Sequence, residues 1–228
     1  IKPKFHQSPR IDIDPLKNIQ IAIATSYGRQ YFKFVKAMKS LGLKYDSILP
    51  EEIDSYKGTF IFTTRKEAPE SSQIPILKDE IFNKNPTIIK GLMLQKLGFN
   101  YNDELIVGID PGNRMGLSII FLGSEIERSF FTSVDNLIEH VITILAGLKA
   151  KRKIVRIGNG DLSKAQKIIN LLNLRFCSHF ELELVDESMT SLRIRRFNQR
   201  GKRDMMSAKF ITQREGYRHF VLPLSRTG

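Results

Sequence analysis

Val107-Gly108-Ile109-Asp110-Pro111-Gly112-Asn113-Arg114-Met115-Gly116 is the stretch that decides how this chain is read. An apolar run, Leu105 to Ile109, meets an acid, then Pro-Gly, then a second apolar run, Leu117 to Leu122. Proline pre-sets φ at the first turn position, and glycine accepts a positive φ at the next. The spacing therefore predicts a hairpin with the Asp110 carboxylate held at the end of a buried strand. An isolated Asp-Pro-Gly turn needs no function, because such dipeptides mark turns everywhere. What Asp110 does depends on the partners the rest of the chain supplies.

Moving C-terminally, strands are expected at 116–122 and 126–132, joined by Gly123-Ser124-Glu125. Leu137, Ile138, Val141, Ile142, Leu145 and Leu148 fall at helical spacing. Ile154-Val155-Arg156-Ile157 is a fourth strand, and Gly158-Asn159-Gly160 turns into a helix over 162–173. Leu162, Ala165, Ile168, Ile169 and Leu172 would be its core face, with Asp161 or Ser163 as its cap. Glu181 to Val185 is a fifth strand that ends in Asp186-Glu187. A helix from about Ser188, a very basic segment and a helix opening near Asp204 complete the order β-β-β-α-β-α-β-α.

Three acids thus stand at comparable places: Asp110 and Asp186-Glu187 at strand ends, and Asp204 at a helix start. Alternation along a strand points Asp186 and Glu187 to opposite faces, so one of the two would join Asp110. In an open α/β sheet, sites form beyond the carboxyl ends of parallel strands. Clustered carboxylates repel unless a cation lies between them. Mg²⁺ suits such oxygen ligands, and two ions about 4 Å apart can drive phosphodiester cleavage. Each acid alone could equally be a cap or a surface charge.

Gly108-Ile109-Asp110-Pro111-Gly112, the three-stranded meander, Ile157-Gly158-Asn159-Gly160 and Val185-Asp186-Glu187-Ser188-Met189-Thr190-Ser191 together resemble the RuvC/YqgF branch of the RNase H-like superfamily. The Ile-Gly-Asn-Gly stretch is similar to the YqgF-like domain of Tex proteins. The resemblance covers about residues 104–216. It implies an RNase H-like fold, a mixed five-stranded sheet with helices, and a Mg²⁺- or Mn²⁺-dependent nuclease acting on Holliday junctions or on structured or precursor RNA. By motif match it implies Asp110, Glu187 and Asp204 as catalytic metal ligands, with Asp186 as the alternate. It also implies a homodimer where two strands are cut. This chain departs from the pattern in carrying Ser207 where RuvC-type enzymes place a further acid, and in the Met205-Met206 that follow Asp204.

Arg193, Arg195, Arg196, Arg200, Lys202 and Arg203 crowd between two of the proposed ligands, with Phe197 among them and Gly201 as a hinge. Arginine forks suit phosphate oxygens, and aromatic rings can stack on unpaired bases. These six cations, together with Asn113 and Arg114, are the candidate nucleic-acid contacts. Asn113 and Arg114 could equally stabilise the turn. His140 and His179 read as structural.

N-terminal to the central stretch, residues 1–17 carry Pro3, Pro9 and Pro15 and read as an extended arm. Residues 18–98 read as a small α/β domain. Its strands are Ile19 to Ala24, Asp46 to Leu49 and Thr59 to Thr64, with a weak edge at Ile74 to Ile76. Helical spacing puts Phe32, Val35, Met38 and Leu41 on the core face of one helix, with Phe34 as an additional candidate, and Thr87 to Leu97 is a second. Ala24-Thr25-Ser26-Tyr27-Gly28-Arg29 could offer backbone N–H groups to a phosphate, but it lacks both the Walker and the dinucleotide glycine patterns, so a scaffold or substrate-positioning role is preferred. Residues 99–104 read as a linker, and 104–220 as the RNase H-like domain.

With 36 Lys+Arg against 24 Asp+Glu, the net charge of +12 suits a polyanion such as nucleic acid. The single cysteine, Cys177, excludes an internal disulfide and a multi-cysteine zinc site. No apolar run reaches the length of a membrane span and no signal-peptide pattern precedes the first strand, so a cytoplasmic location is expected. Two functions from different classes remain open: a metal-dependent nuclease, and a nucleic-acid-binding protein on the same fold with weak or no activity. An actin-like phosphotransferase would need further glycine-rich phosphate loops.

Overall fold

The computed structural model describes residues 15–16, 18–99, 103–175, 180–186, 200–214 and 216–218, with only the backbone described over 200–204 and at 218. Two sheets and five α-helices make up these residues. The first sheet is parallel throughout, in the order β2-β1-β3-β4: β1 (Ile21–Ala24), β2 (Asp46–Ile48), β3 (Phe60–Thr63) and β4 (Ile76–Leu77). Helix α1 (Gly28–Leu41) links β1 to β2, and α2 (Pro86–Lys96) follows β4. Two short 3₁₀ helices, Pro50–Ser55 and Asp79–Ile81, replace expected loop.

The face of α1 that enters the core is Phe34, Met38 and Leu41. Phe32 is not part of it: the residue is 70% exposed, which corrects the expected helix face. Phe34, Met38 and Leu41 repeat at four and three residues and define one stripe, and Phe32 stands about half a turn from Phe34. Gly42, at φ 66°, closes the helix with N–H bonds into its last turn. Leu16, within the expected arm, is buried in the same core.

The second sheet has the order β10-β9-β8-β5-β6-β7. Strands β5 (Glu104–Asp110), β6 (Met115–Phe121) and β7 (Ser124–Phe131) form an antiparallel meander. β8 (Arg152–Gly158) and β9 (Glu181–Val185) run parallel to β5. The two-residue β10 (Tyr217–Arg218) pairs antiparallel with β9 and makes six strands where five were expected. The β6–β7 turn is Leu122-Gly123, one residue earlier than expected, with φ of 49° and 79°. Two consecutive positive φ values match the twist of a tight hairpin.

Helices α3 (Val134–Gly147), α4 (Leu162–Arg175) and α5 (Arg200–Thr212) complete the second half. Leu105, Val107, Ile109, Leu117, Ile119, Phe121, Val155 and Ile157 share one sheet face by register and pack in one cluster with Leu137, Val141, Ile168 and Leu172 of α3 and α4. Leu162 is 67% exposed and lies outside that face, against expectation, because it is the first helical residue and precedes the buried stripe. The opposite sheet face carries Gly108, Ser118, Arg156 and Glu183, and α5 covers it.

The two sheets share one apolar cluster, which includes Ile23 and Phe62 of the first sheet and Val107 and Leu117 of the second. The join runs through α2: a Cβ built on Gly91 would lie 2.5 Å from Leu148 Cδ2, so α2 approaches the end of α3 without room for a side chain. No described helix is long and apolar enough to cross a membrane.

Candidate functional site

Because β5, β8 and β9 are parallel, their carboxyl ends meet one edge of the sheet. Asp110 is the last residue of β5 and is half-buried. Gly112 after it is not in the left-handed region, so the expected turn geometry is corrected. What confines Gly112 is close packing: a Cβ there would sit 3.2 Å from the Arg114 carbonyl oxygen.

Asn159 follows β8 and donates its N–H to the Val185 oxygen at 3.1 Å, which prolongs the β8–β9 pairing. Its Nδ2 lies 3.5 Å from Asp186 Oδ1. Asp186 is exposed, and its carbonyl accepts from Arg214 Nη1 at 3.1 Å. Asp161 caps α4 by accepting from the Lys164 N–H at 3.0 Å. That backbone bond is the main reason its carboxyl is held below the ordinary value. Lys164 Nζ sits 3.3 Å from Asp161 Oδ2 and donates to Asn113 Oδ1 at 3.0 Å. The turn after Asp110 is thereby tied to the start of α4 through Asn113.

Arg114 is exposed and its guanidinium stands 5.5 Å from the centroid of the Phe130 ring. Phe130 is 45% exposed. Asp110 pairs with Gly116, and Gly116 pairs with Phe130, so the acid and the ring share one row and one face of the sheet. Sequence reasoning singles out neither Phe130 nor Lys164. The only local signal for Phe130 is its place two residues after Arg128, on the same face of the half-polar strand β7.

Helix α5 is seated on β5 itself. A Cβ on Gly108 would collide with Thr212 Cγ2, lie 2.6 Å from the Ala208 carbonyl oxygen and 3.0 Å from Thr212 N. Two clusters of charge hold the helix from either side. On one, buried Arg156 donates through Nε to Glu183 Oε2 at 2.7 Å and through Nη1 to the Thr212 oxygen at 2.5 Å. On the other, Glu125 gathers Ser118 Oγ at 2.9 Å, Lys209 Nζ at 3.5 Å and Arg128. Arg128 Nη1 also reaches Met206 Sδ at 3.5 Å.

Asp204 lies inside α5, one turn before Ala208, rather than opening the helix. Gly201 is helical as well and is no hinge. Arg200, Lys202 and Arg203 lie in the first turn of α5, where only backbone is described. Glu187, Arg193, Arg195, Arg196 and Phe197 lie outside the described residues, as do Cys177 and His179. Among the described residues no group of three His, Cys, Asp or Glu side chains could hold a metal ion.

In the first sheet, the phosphate-like position at the start of α1 is taken by the chain's own carboxylate. Glu67 accepts from Thr25 Oγ1 at 2.5 Å, from Ser26 N at 2.7 Å and from Thr64 Oγ1 at 2.7 Å. Burial alone would raise the Glu67 pKa, but these bonds outweigh it and hold the carboxyl below its ordinary value. His140 joins α3 to Glu127 of β7 at 2.9 Å.

No protein-family model matches this chain, and no curated protein matches it. Among the solved structures similar to it in part are two Argonaute structures. One is Aa-Ago with externally bound siRNA, at 13% identity over 77% of this chain and 36% of that one, with a TM-score of 0.26. The other is Aquifex aeolicus Argonaute, at 15% identity over 74% of this chain and 36% of that one, with a TM-score of 0.24. The chain thus matches about a third of the length of each Argonaute.

Proposed function

We propose that this protein is a metal-dependent endonuclease of the RNase H-like, RuvC/YqgF type, cleaving phosphodiesters in structured DNA or RNA. The observation that carries this reading is the seating of α5 on β5 at Gly108, two residues before Asp110. The helix that bears Asp204 and the strand that ends in Asp110 are thereby held to one sheet face. Val185 at the end of β9 pairs with Gly158 on that face, and Glu187 follows it by two residues.

The donor set is carboxylate oxygen, which suits Mg²⁺ or Mn²⁺. Asp110, Glu187 and Asp204 would hold the metal, with Asp186 as the alternate to Glu187. Bound there, a pair of divalent ions would activate a water and stabilise the leaving oxygen. The chain's own part is positioning. Asp110 is fixed by β-pairing on one side and by the tethered turn on the other. Arg114 and the basic segment from Arg193 to Arg203 would meet phosphates, and the two copies of a dimer would address two strands.

The test is incubation of the full chain with four-way DNA junctions and with structured RNAs, with Mg²⁺ or Mn²⁺ and with chelator. Metal-dependent cleavage that Asp110→Asn abolishes without unfolding the chain is the expected result. Binding without cleavage, unchanged in Asp110→Asn, would establish the second reading instead, a nucleic-acid-binding protein on the same fold. The sequence after Asp204 favours that alternative: Met206 is engaged with Arg128, and Ser207 stands where RuvC-type enzymes carry an acid.

A further inference from the structure

Helix α1 carries Arg29, Lys33, Lys36 and Lys39 on its exposed side and has no acidic residue among its fourteen. Four cations unbalanced by any acid within the helix are a local concentration of positive charge. Positions 29, 32, 33, 36 and 39 fall within about a third of the helical circumference, and the stripe runs about 15 Å. Phe32 lies inside it, 70% exposed, and Tyr27 at the start of the helix is 46% exposed. The opposite side, Phe34, Met38 and Leu41, is buried in the core, so the stripe is the only face α1 can offer. Lys33 Nζ stands 5.1 Å from the Phe82 ring, which fixes one border of the stripe.

We infer that this face of α1 binds unpaired, single-stranded nucleic acid, with the four cations on successive phosphates and a base stacked on Phe32. Charge complementarity selects a polyanion. The exposed aromatic selects one that offers a free π-face, as an unpaired base does. A lipid surface fits poorly, because membrane-lying helices turn an apolar stripe outward, and the apolar stripe of α1 is spent on the core. The inference gives the first half of the chain a role in holding substrate. It adds to the proposed nuclease function and is tested without cleavage.

The experiment measures binding of the full chain to a fluorescent single-stranded oligonucleotide and to its duplex, over a salt series, without divalent metal. Single strand is expected to bind more tightly than duplex. Replacing Arg29, Lys33, Lys36 and Lys39 together by glutamine should flatten the slope of log affinity against log salt by roughly 0.7 for each phosphate that is no longer neutralised. Phe32→Ala should weaken single-strand binding roughly tenfold while leaving the salt slope unchanged. All five side chains are on the surface, and Lys36→Gln alone gives the same sign if the quadruple variant does not fold. Wild-type affinity and slope in these variants would overturn the inference, as would an unaltered single-strand affinity in Phe32→Ala. So would loss of binding to phosphatidylserine vesicles in the quadruple variant with oligonucleotide binding retained. Because no cleavage is read, loss of cleavage in Asp110→Asn and loss of binding in the α1 variants are separate outcomes.

Discussion

Arg156 donates from Nη1 to the main-chain oxygen of Thr212 at 2.5 Å, joining the middle of β8 to the last turn of α5. The last carbonyls of a helix lack intrahelical partners and carry partial negative charge. A guanidinium suits that end, and Glu183 at 2.7 Å balances its charge. Both side chains are nearly sealed from water, at 9% and 6% residual exposure. Removing Arg156 leaves the buried Glu183 carboxylate with only the Gly216 N–H at 3.3 Å and the more distant Arg152 guanidinium at 4.0 Å. Arg156→Met is therefore expected to destabilise the chain by roughly 3–5 kcal/mol. The double variant Arg156→Met with Glu183→Leu should recover most of that loss. Urea unfolding of both checks this, and a double variant no more stable than the single one would refute the account.

Gly108 is small because α5 lies against it. The Ala208 carbonyl, 2.6 Å from a Cβ built there, is backbone and cannot swing aside. Gly108→Ala is expected to cost roughly 1–3 kcal/mol, as overpacking does, by lifting α5 from the sheet. Adding Thr212→Ala removes the clash with Cγ2 but not the one with the carbonyl, so it should restore only part. If the helix bearing Asp204 completes the site, Gly108→Ala also lowers cleavage while leaving the Asp110 side chain untouched. Urea unfolding measures the cost, and a stability indistinguishable from wild type would show that the contact is not tight.

Local features of this fold are legible in the sequence, and distant ones are not. The bounds of β9 follow residue for residue, and those of β5 within one residue at each end, because apolar runs bounded by turn residues are local signals. Asp110 can be put at a strand end for the same reason. Gly108 looks like part of a motif, yet its demand comes from Ala208 and Thr212, far along the chain. Asp204 reads as a helix start because a charge run with a glycine reads as loop. Arg and Lys are good helix formers, and one Gly costs only about 1 kcal/mol, so α5 extends back to Arg200. Phe32 and Leu162 fit a helical window but not the phase of the buried stripe. The carboxylate that fills the turn at Ser26 lies at Glu67, beyond the reach of any local pattern.

Glu127 ties the two halves together and makes that tie depend on acid. Its carboxylate takes Thr87 Oγ1 of α2 at 2.5 Å, Ser129 Oγ at 2.7 Å and His140 Nε2 of α3 at 2.9 Å. Burial pushes its pKa up, but the bond and charge of His140, then the two hydroxyls, outweigh this and leave it below the ordinary 4.5. A depressed carboxyl pKa stabilises the fold fully above the unfolded value. That contribution is lost as pH falls through the lower folded value. Stability of the wild type should therefore drop between about pH 5 and pH 3 more steeply than that of Glu127→Gln, which lacks the titrating group. At neutral pH the variant is expected to be less stable by roughly 1–3 kcal/mol, since its amide cannot accept all three bonds. Parallel pH curves for the two proteins would remove Glu127 from the account.

Glu67 offers the same sign with a local readout. Its oxygens close the turn between β1 and α1 by accepting from the Ser26 N–H and from the hydroxyls of Thr25 and Thr64. Protonation removes a charged acceptor, so the turn should loosen as pH falls through the depressed folded pKa and hold firm above the unfolded value of 4.5. Glu67→Ala leaves the Ser26 N–H without this acceptor at every pH. Its amide hydrogen is then expected to exchange with solvent roughly tenfold faster or more, an order-of-magnitude effect of losing one charged hydrogen bond. Amides in the middle of β5 should be unchanged, because they belong to the second sheet and share no partner with Glu67 among the bonds named above. Hydrogen exchange followed by NMR reads both positions in one experiment. Equal protection of Ser26 in the two proteins would mean that the α1 turn is held by its backbone alone.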